Sequence, residues 1–270
     1  AEYSVVFDTL LKDCKVSQGP GSHMLGQHFS KPFGIEYSDK DGKKQHVWQT
    51  SWGMTTRQIG ILIAHHGDDK GAIIPPAVAP YQAVIVPIPF KGREKQVLEA
   101  AKRVEGHLRE MHIRVCLDER DYSPGFKFNE WELRGVPLRI EIGPKDIDAD
   151  EVTAVKRTDG KKIKIKADKL TEINNILSEI QEDMQKKSRE FLKSNIRDAK
   201  TIQDIKNMEK KGGFFRTNWC GSEKCEKSIK AETEGAEIRG TLYGRGEKTF
   251  ADCIYCGKTA KYVVYVAMAY

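Results

Sequence analysis

No apolar run in this 270-residue chain reaches the roughly 18 residues that a bilayer-crossing helix needs, which argues against a helical membrane span. The start of the chain also lacks the charged, apolar and small-residue pattern of a secretory signal. No internal repeat is present, which excludes solenoids and propellers. Charge bias is weak: 45 basic residues against 39 acidic give +6, which permits a polyanionic partner without demanding one. There is no initiator methionine, and the opening Glu-Tyr-Ser-Val-Val-Phe after Ala1 reads as the inside of a β-strand, so the natural N-terminus is expected to lie further upstream. Cysteine is scarce and uneven, with six in the chain. Cys14 and Cys116 stand alone and read as small buried hydrophobes. The other four cluster near the C-terminus. Without a secretory signal a reducing, cytoplasmic setting is expected, and close thiols are read as metal ligands before disulfides.

The length suits two or three compact units. Residues 1–80 read as strands and one helix: a hairpin turn at Asp39-Lys-Asp-Gly42, a strand over 45–52, and a helix over 56–66 with Ile59, Leu62 and Ile63 at helical spacing. Pro75-Pro76 closes that region. Residues 82–185 alternate strand and helix. Strands are expected over 83–88, 113–117 and 138–142, the last alternating Arg139 and Glu141. An amphipathic helix is expected over 93–111. A second begins at the Ser123 cap with Pro124 in its first turn and stops at Gly135. A hairpin over 152–157 and 162–166 turns at Asp159-Gly160, and a long polar helix over 170–192 follows. This order predicts an α/β domain with helices on a mixed sheet. The basic stretch 156–169 reads as the solvated face of the hairpin. The remainder carries two expected helices, 202–210 and 223–233, among short strands.

Cys220 and Cys225 enclose four residues, Cys253 and Cys256 enclose two, and 27 residues separate the pairs. Zinc takes four soft donors in a tetrahedron with thiolates about 2.3 Å away, and two close pairs on tight turns can converge on one ion. Gly221 and Gly257 suit such turns. Four thiolates leave no open position, so the zinc is expected to be structural, stapling a unit with little core of its own.

Gln49-Thr-Ser-Trp-Gly-Met-Thr-Thr-Arg57-Gln-Ile-Gly60 resembles the third signature motif of class II prolyl-tRNA synthetases, a strand that turns into a helix with an arginine reaching the ATP phosphates. A guanidinium suits that task because its planar fork of donors matches phosphate. Upstream, Gln18-Gly-Pro-Gly-Ser-His23-Met-Leu-Gly-Gln-His-Phe29 is similar to the loop that these enzymes place beside the proline pocket and the adenine. Gly21 stands where the family pattern has threonine. The resemblance implies ATP contacts at Gln18, Thr55 and Arg57, proline contacts at His23, Trp52 and Gly53, and catalytic roles for Arg57 and His23. The stretch from Asp118 to Asp146 is similar to the anticodon-binding domain of the archaeal and eukaryotic-type enzymes and implies anticodon contacts at Glu132, Arg139, Lys145 and Asp146. Arginine donors match guanine O6 and N7, and a carboxylate can accept from guanine N1 and N2. The C-terminal Tyr270 also matches relatives whose last residue packs near the catalytic centre.

The resemblance therefore implies three parts: 1–80, the end of a class II catalytic domain with a remnant of its antiparallel sheet; 81–190, an α/β anticodon-binding domain; and 191–270, a small α+β zinc-binding domain. The implied activity is ATP- and Mg2+-dependent activation of proline to prolyl-adenylate and its transfer to tRNA(Pro), in an enzyme expected to be a homodimer at full length. The first and second class II motifs are not found in this sequence, so the fragment alone is expected to be inactive. Two alternatives are a non-catalytic tRNA-binding or regulatory module derived from a synthetase, and a class II enzyme for threonine or histidine. The closing cysteine domain and the Gln18–His23 segment favour proline.

Overall fold

The β-prone run Tyr3–Leu10 (β1) and the segment Val16–Gly26 (β2) pair antiparallel in the computed structural model, which describes residues 1–208 and 211–270. The segment expected to be a loop around Gln18–His23 is thus largely strand. Its serines and glycines have low β-propensity, but β2 is hydrogen-bonded along both edges, and pairing overrides propensity. Glu36–Ser38 (β3) and Lys44–His46 (β4) form the expected hairpin, whose turn is held by the Asp39 carboxylate accepting from the Asp41 and Lys43 backbone amides. Gln49–Gly53 (β5) joins the free edge of β2, giving the sheet order β1-β2-β5. The single strand expected over 45–52 is therefore two strands, because its halves pair with different partners.

Helix α1, Arg57–His66, falls where expected. Its buried position is Ile61, while Ile59 and Ile63 stay exposed.

The chain forms two compact units, one of Ala1–Ile61 with Phe191–Tyr270 and the other of Leu62–Glu190. The second unit contains Ala83–Pro87 (β6), Glu94–Glu110 (α2), Val115–Leu117 (β7), Pro124–Arg134 (α3), Leu138–Ile142 (β8), Pro144–Asp148 (α4), Glu151–Lys156 (β9) and Lys162–Lys166 (β10). Helix α5, Glu172–Ser194, follows. The sheet order is β10-β9-β8-β6-β7, with β6 parallel to β7 and β8 and the β8-β9-β10 edge antiparallel. Strand β6 is buried throughout, as a central strand covered on both faces must be. Ala83 and Ile85 join the core built with α2 and α5, whereas Val84 and Val86 pack with Trp131 and Val136 on the α3 side. Helix α5 is not polar all round: Ile173, Ile176, Leu177, Ile180 and Met184 make a buried stripe at helical spacing.

The rest of the first unit holds Ile196–Asp198 (β11), Ile202–Met208 (α6), Phe214–Trp219 (β12), Glu223–Glu232 (α7), Glu237–Gly240 (β13) and Tyr262–Ala267 (β14). The last two positions of the helix expected over 202–210 lie outside the described residues. The sheet order is β11-β12-β14-β13. Phe215, Ile229, Val264 and Val266 centre one core, and Leu10 and Val16 share another with Phe214 and Ala267. Among the described residues, no helix is long and apolar enough to cross a membrane.

Candidate functional site

Strand β8 and helix α3 build a polar face on the second unit. Leu138, Ile140 and Ile142 point into the core, so alternation turns Arg139 and Glu141 to the opposite side. Helix α3 lies over that side. Ser123 caps it by accepting from the Phe126 amide, and it ends at Gly135 in the left-handed conformation. Asp118 at the end of β7 anchors it. That buried carboxylate accepts from Arg120 Nε and Nη2 and from Trp131 Nε1 at 2.8–2.9 Å. Burial pushes the Asp118 carboxyl up, but the Arg120 and Trp131 hydrogen bonds and the Lys127 charge hold it down at about 2. Arg157 secures the other end of the helix, donating to the Glu132 carbonyl and, through both terminal nitrogens, to Asp68.

Held this way, Arg139 lies with its guanidinium carbon 4.1 Å from the Phe128 ring centroid. Nε and Nη2 donate to one oxygen of Glu141 at 3.1 and 2.9 Å, while Nη1 sits 3.7 Å from Glu132. Lys162 approaches the other Glu141 oxygen at 3.3 Å. Lys145 is exposed on α4, and its ammonium meets no counter-charge among the described residues. Asp146 is different. It is buried, and its carboxylate accepts from the Gly143 amide, the Thr153 hydroxyl and Lys164. Burial pushes its carboxyl up, and those three bonds more than reverse this. Lys145 therefore stands exposed, Glu132 and Arg139 are half-buried side by side, and Asp146 ties down the turn that carries Lys145.

The lysines of the basic hairpin also have local partners. Lys162, Lys164 and Lys166 lie on the face of Arg139 and Glu141 by register and pair with Glu141, with Asp146 and Glu151, and with Glu151. Glu141, Lys162 and Phe128 are parts of this face that sequence reasoning did not select. The Arg-x-Glu alternation in β8 was the available signal for the first.

The four clustered cysteines converge. Cys220 follows β12, Cys225 lies in the first turn of α7, and Cys253 and Cys256 occupy the turn region ahead of β14. Their sulfurs all lie within 4.8 Å of one another, with Cys220 3.6 Å from Cys225 and 3.8 Å from Cys256. A tetrahedron of thiolates about 2.3 Å from a zinc ion has edges of about 3.8 Å, so the donor set and its spacing fit that ion. Gly221 and Gly257 both adopt positive φ, as the two turns require. Burial raises the Cys253 thiol, but the Cys256, Tyr255 and Cys220 amides pull it down to about 7. Burial and the neighbouring sulfurs push Cys225 up to about 12.

The N-terminal sheet places the remaining expected residues. His23 pairs with Ser4 and Ser51, and its Nδ1 lies 2.7 Å from the Ser4 hydroxyl. Gly53 pairs with Gly21 on the same face. Val6 faces Gly21 but Asp8 faces Gln18, so β2 carries one extra residue there. That bulge returns Gln18 to the His23 face, which a regular strand would not do over five positions. Trp52 pairs with Ser22 and so lies on the opposite face, exposed. The structure does not bring Trp52 to His23. Thr55 and Arg57 sit at the strand-to-helix corner, both exposed, with the Thr55 hydroxyl accepting from the Arg57 amide at 3.3 Å. A Cβ at Gly21 would come within 3.1 Å of His23 Nε2, so a threonine there would crowd the imidazole.

Residues 82–177 match the model of an anticodon binding domain, which sets the class of that part of the chain. Residues 202–270 match the model of the prolyl-tRNA synthetase C-terminal domain. Across its full length the chain is 42% identical to the proline--tRNA ligase of Ignicoccus hospitalis, covering 57% of that protein, and 41% identical to that of Cenarchaeum symbiosum, covering 56%. With the proline--tRNA ligase of Natranaerobius thermophilus it shares 42% identity over 93% of this chain and 52% of that protein. The chain thus spans about half the length of the curated relatives it matches, and it belongs to the prolyl-tRNA synthetase family.

Proposed function

We propose that this chain serves in an ATP-dependent proline--tRNA ligase and that the β8–α3 face reads guanines of the proline anticodon. The observation that carries this reading is the adjacency of Arg139 on β8 and Glu132 on α3 inside the region that matches the anticodon binding domain. Arginine donors complement guanine O6 and N7, and the carboxylate complements N1 and N2. Unstacked loop bases expose these edges to side chains. Lys145 contributes charge beside them, and Asp146 fixes the turn on which Lys145 stands.

The three parts 1–80, 81–190 and 191–270 are the catalytic-domain end, the anticodon reader and the zinc domain. Cys220, Cys225, Cys253 and Cys256 would hold a structural zinc ion, which supplies rigidity and no open coordination position. Gln18, His23 and Gly53 on one face of the N-terminal sheet, with Thr55 and Arg57 at the corner, contribute to binding ATP and proline. Arg57 would stabilise phosphate charge, with Mg2+ as the companion cation, and His23 would line the proline site. The reaction activates proline as prolyl-adenylate and transfers it to tRNA(Pro), in a cytoplasmic homodimer.

The test uses an anticodon stem-loop RNA containing the two guanines and versions with adenine at each position. Wild-type chain is expected to prefer guanine, and Arg139→Ala and Glu132→Ala are each expected to lose between about 5- and 150-fold of that preference. Equal binding of guanine and adenine loops by the wild-type chain would overturn the reading.

A further inference from the structure

An arginine offers a base two paired edges, one from Nε and Nη2 and one from Nη1 and Nη2. In this protein the first is taken. Both Nε and Nη2 of Arg139 donate to Oε1 of Glu141, a residue 6% exposed, and Lys162 Nζ lies 3.3 Å from Oε2. Phe128 covers one face of the guanidinium at 4.1 Å, and Nη1 faces Glu132 at 3.7 Å. The Nη1–Nη2 edge, in a side chain 12% exposed with Nη1 loosely paired to Glu132, is therefore the one that an incoming base would engage beside the Glu132 carboxylate.

We propose that Glu141, with Lys162 behind it, is a positioning residue for base discrimination: it fixes which edge of Arg139 is presented. This rests on the anticodon-reading proposal above. A guanidinium free to rotate about its last torsions could offer either edge, and could satisfy an adenine by turning away. A locked one enforces donors where guanine has acceptors and leaves Glu132 to accept from N1 and N2. Glu141 acts through Arg139 and need not touch the RNA, so its loss alters selectivity more than overall affinity. Phosphate attraction, which supplies sequence-independent affinity, does not depend on this lock.

The experiment measures binding of the guanine stem-loop and its adenine-substituted forms by wild-type chain, Glu141→Ala, Glu141→Gln, Lys162→Ala and the Glu141→Ala/Lys162→Ala pair, with melting curves for each. Glu141→Ala is expected to lose at least about fivefold of the guanine-to-adenine ratio while binding the adenine loop about as well as wild type. Lys162→Ala should lose less, and should add nothing in the Glu141→Ala background, because both act on one guanidinium. Glu141→Gln keeps the volume and one acceptor oxygen but sets an amide donor against Lys162. It is expected to retain part of the ratio, and it carries the test if Glu141→Ala melts early. An unchanged ratio in Glu141→Ala or Glu141→Gln, with the ratio lost in Arg139→Ala, would overturn the positioning role and leave the anticodon reading standing. A uniform loss of affinity for all loops would also overturn it, since that is the mark of a purely structural residue. No guanine preference in wild type would instead remove the anticodon reading itself.

Discussion

Replacing Asp118 by asparagine tests how the polar β8–α3 face is held. The wild-type carboxylate is 2% exposed and takes hydrogen bonds from Arg120 Nε, Nη2 and N and from Trp131 Nε1. Lys127 lies 3.9 Å from it and is itself buried, its ammonium donating to the Asp118 carbonyl. The carboxyl sits at about 2 against an ordinary 3.8, a gap worth roughly 2–3 kcal/mol of stability at neutral pH. Asparagine keeps the shape but turns one acceptor into a donor, facing Trp131 or Arg120, and leaves Lys127 without its counter-charge. Removing one partner of a buried pair costs about 3–5 kcal/mol, and Arg120, still paired with Glu130 and partly exposed, should bring the loss to about 2–3 kcal/mol. Denaturant unfolding followed by hydrogen exchange of the 82–190 amides reads this directly. The folded-state value is depressed, so the wild-type advantage is present above pH 3.8 and declines as pH falls toward 2, where Asp118 protonates. The gap between wild type and Asp118→Asn should close across that window. A loss under about 0.5 kcal/mol at pH 7, or a gap that does not change with pH, would refute the account of Asp118 as a charged anchor.

Three further outcomes are expected. Chelation should remove one zinc per chain, measured by metal analysis, and should raise hydrogen exchange around β12, α7 and β14; Cys225→Ser should do the same without chelator. Gly135 has φ 75°, and a Cβ there would meet the Ala72 carbonyl oxygen at 2.5 Å, so Gly135→Ala should destabilise by about 1–3 kcal/mol in a thermal melt, far more than an exposed turn glycine such as Gly160. Ser123→Ala removes the α3 cap and should cost about 1 kcal/mol by chemical denaturation, with little change in guanine preference.

Local chemistry made much of this molecule legible in advance. The Ser123-Pro124 start and Gly135 stop of α3, the turns at Asp39–Gly42 and Asp159-Gly160, and the stripe of α2 depend on contacts a few residues apart, which a linear reading can count. The cysteine pairs were legible for the same reason, since each pair is local and only their meeting is not. The helix expected to be polar, α5, hid an apolar stripe that its many charged residues obscured.

Other features have no local signature. Segment 16–26 is a strand because β1 and β5 pair with its two edges, and the bulge that returns Gln18 to the His23 face exists only in that pairing. Asp8 meets Arg239 at 2.7 Å across 231 positions of sequence, and the Val16 carbonyl accepts from the Tyr270 amide at 3.1 Å. Tyr270 also donates its hydroxyl to Asp13, a contact that ties the last residue to the β1–β2 turn. Sequence by itself determined most helices and turns, the spacing of the four clustered cysteines and the family, because these reside in residue type and short intervals. Only the tertiary structure decided that Asp146 is spent on its own turn and that Glu141 takes one edge of Arg139. A hydrogen-bonding group has few partners it can satisfy at once, and folding chooses which.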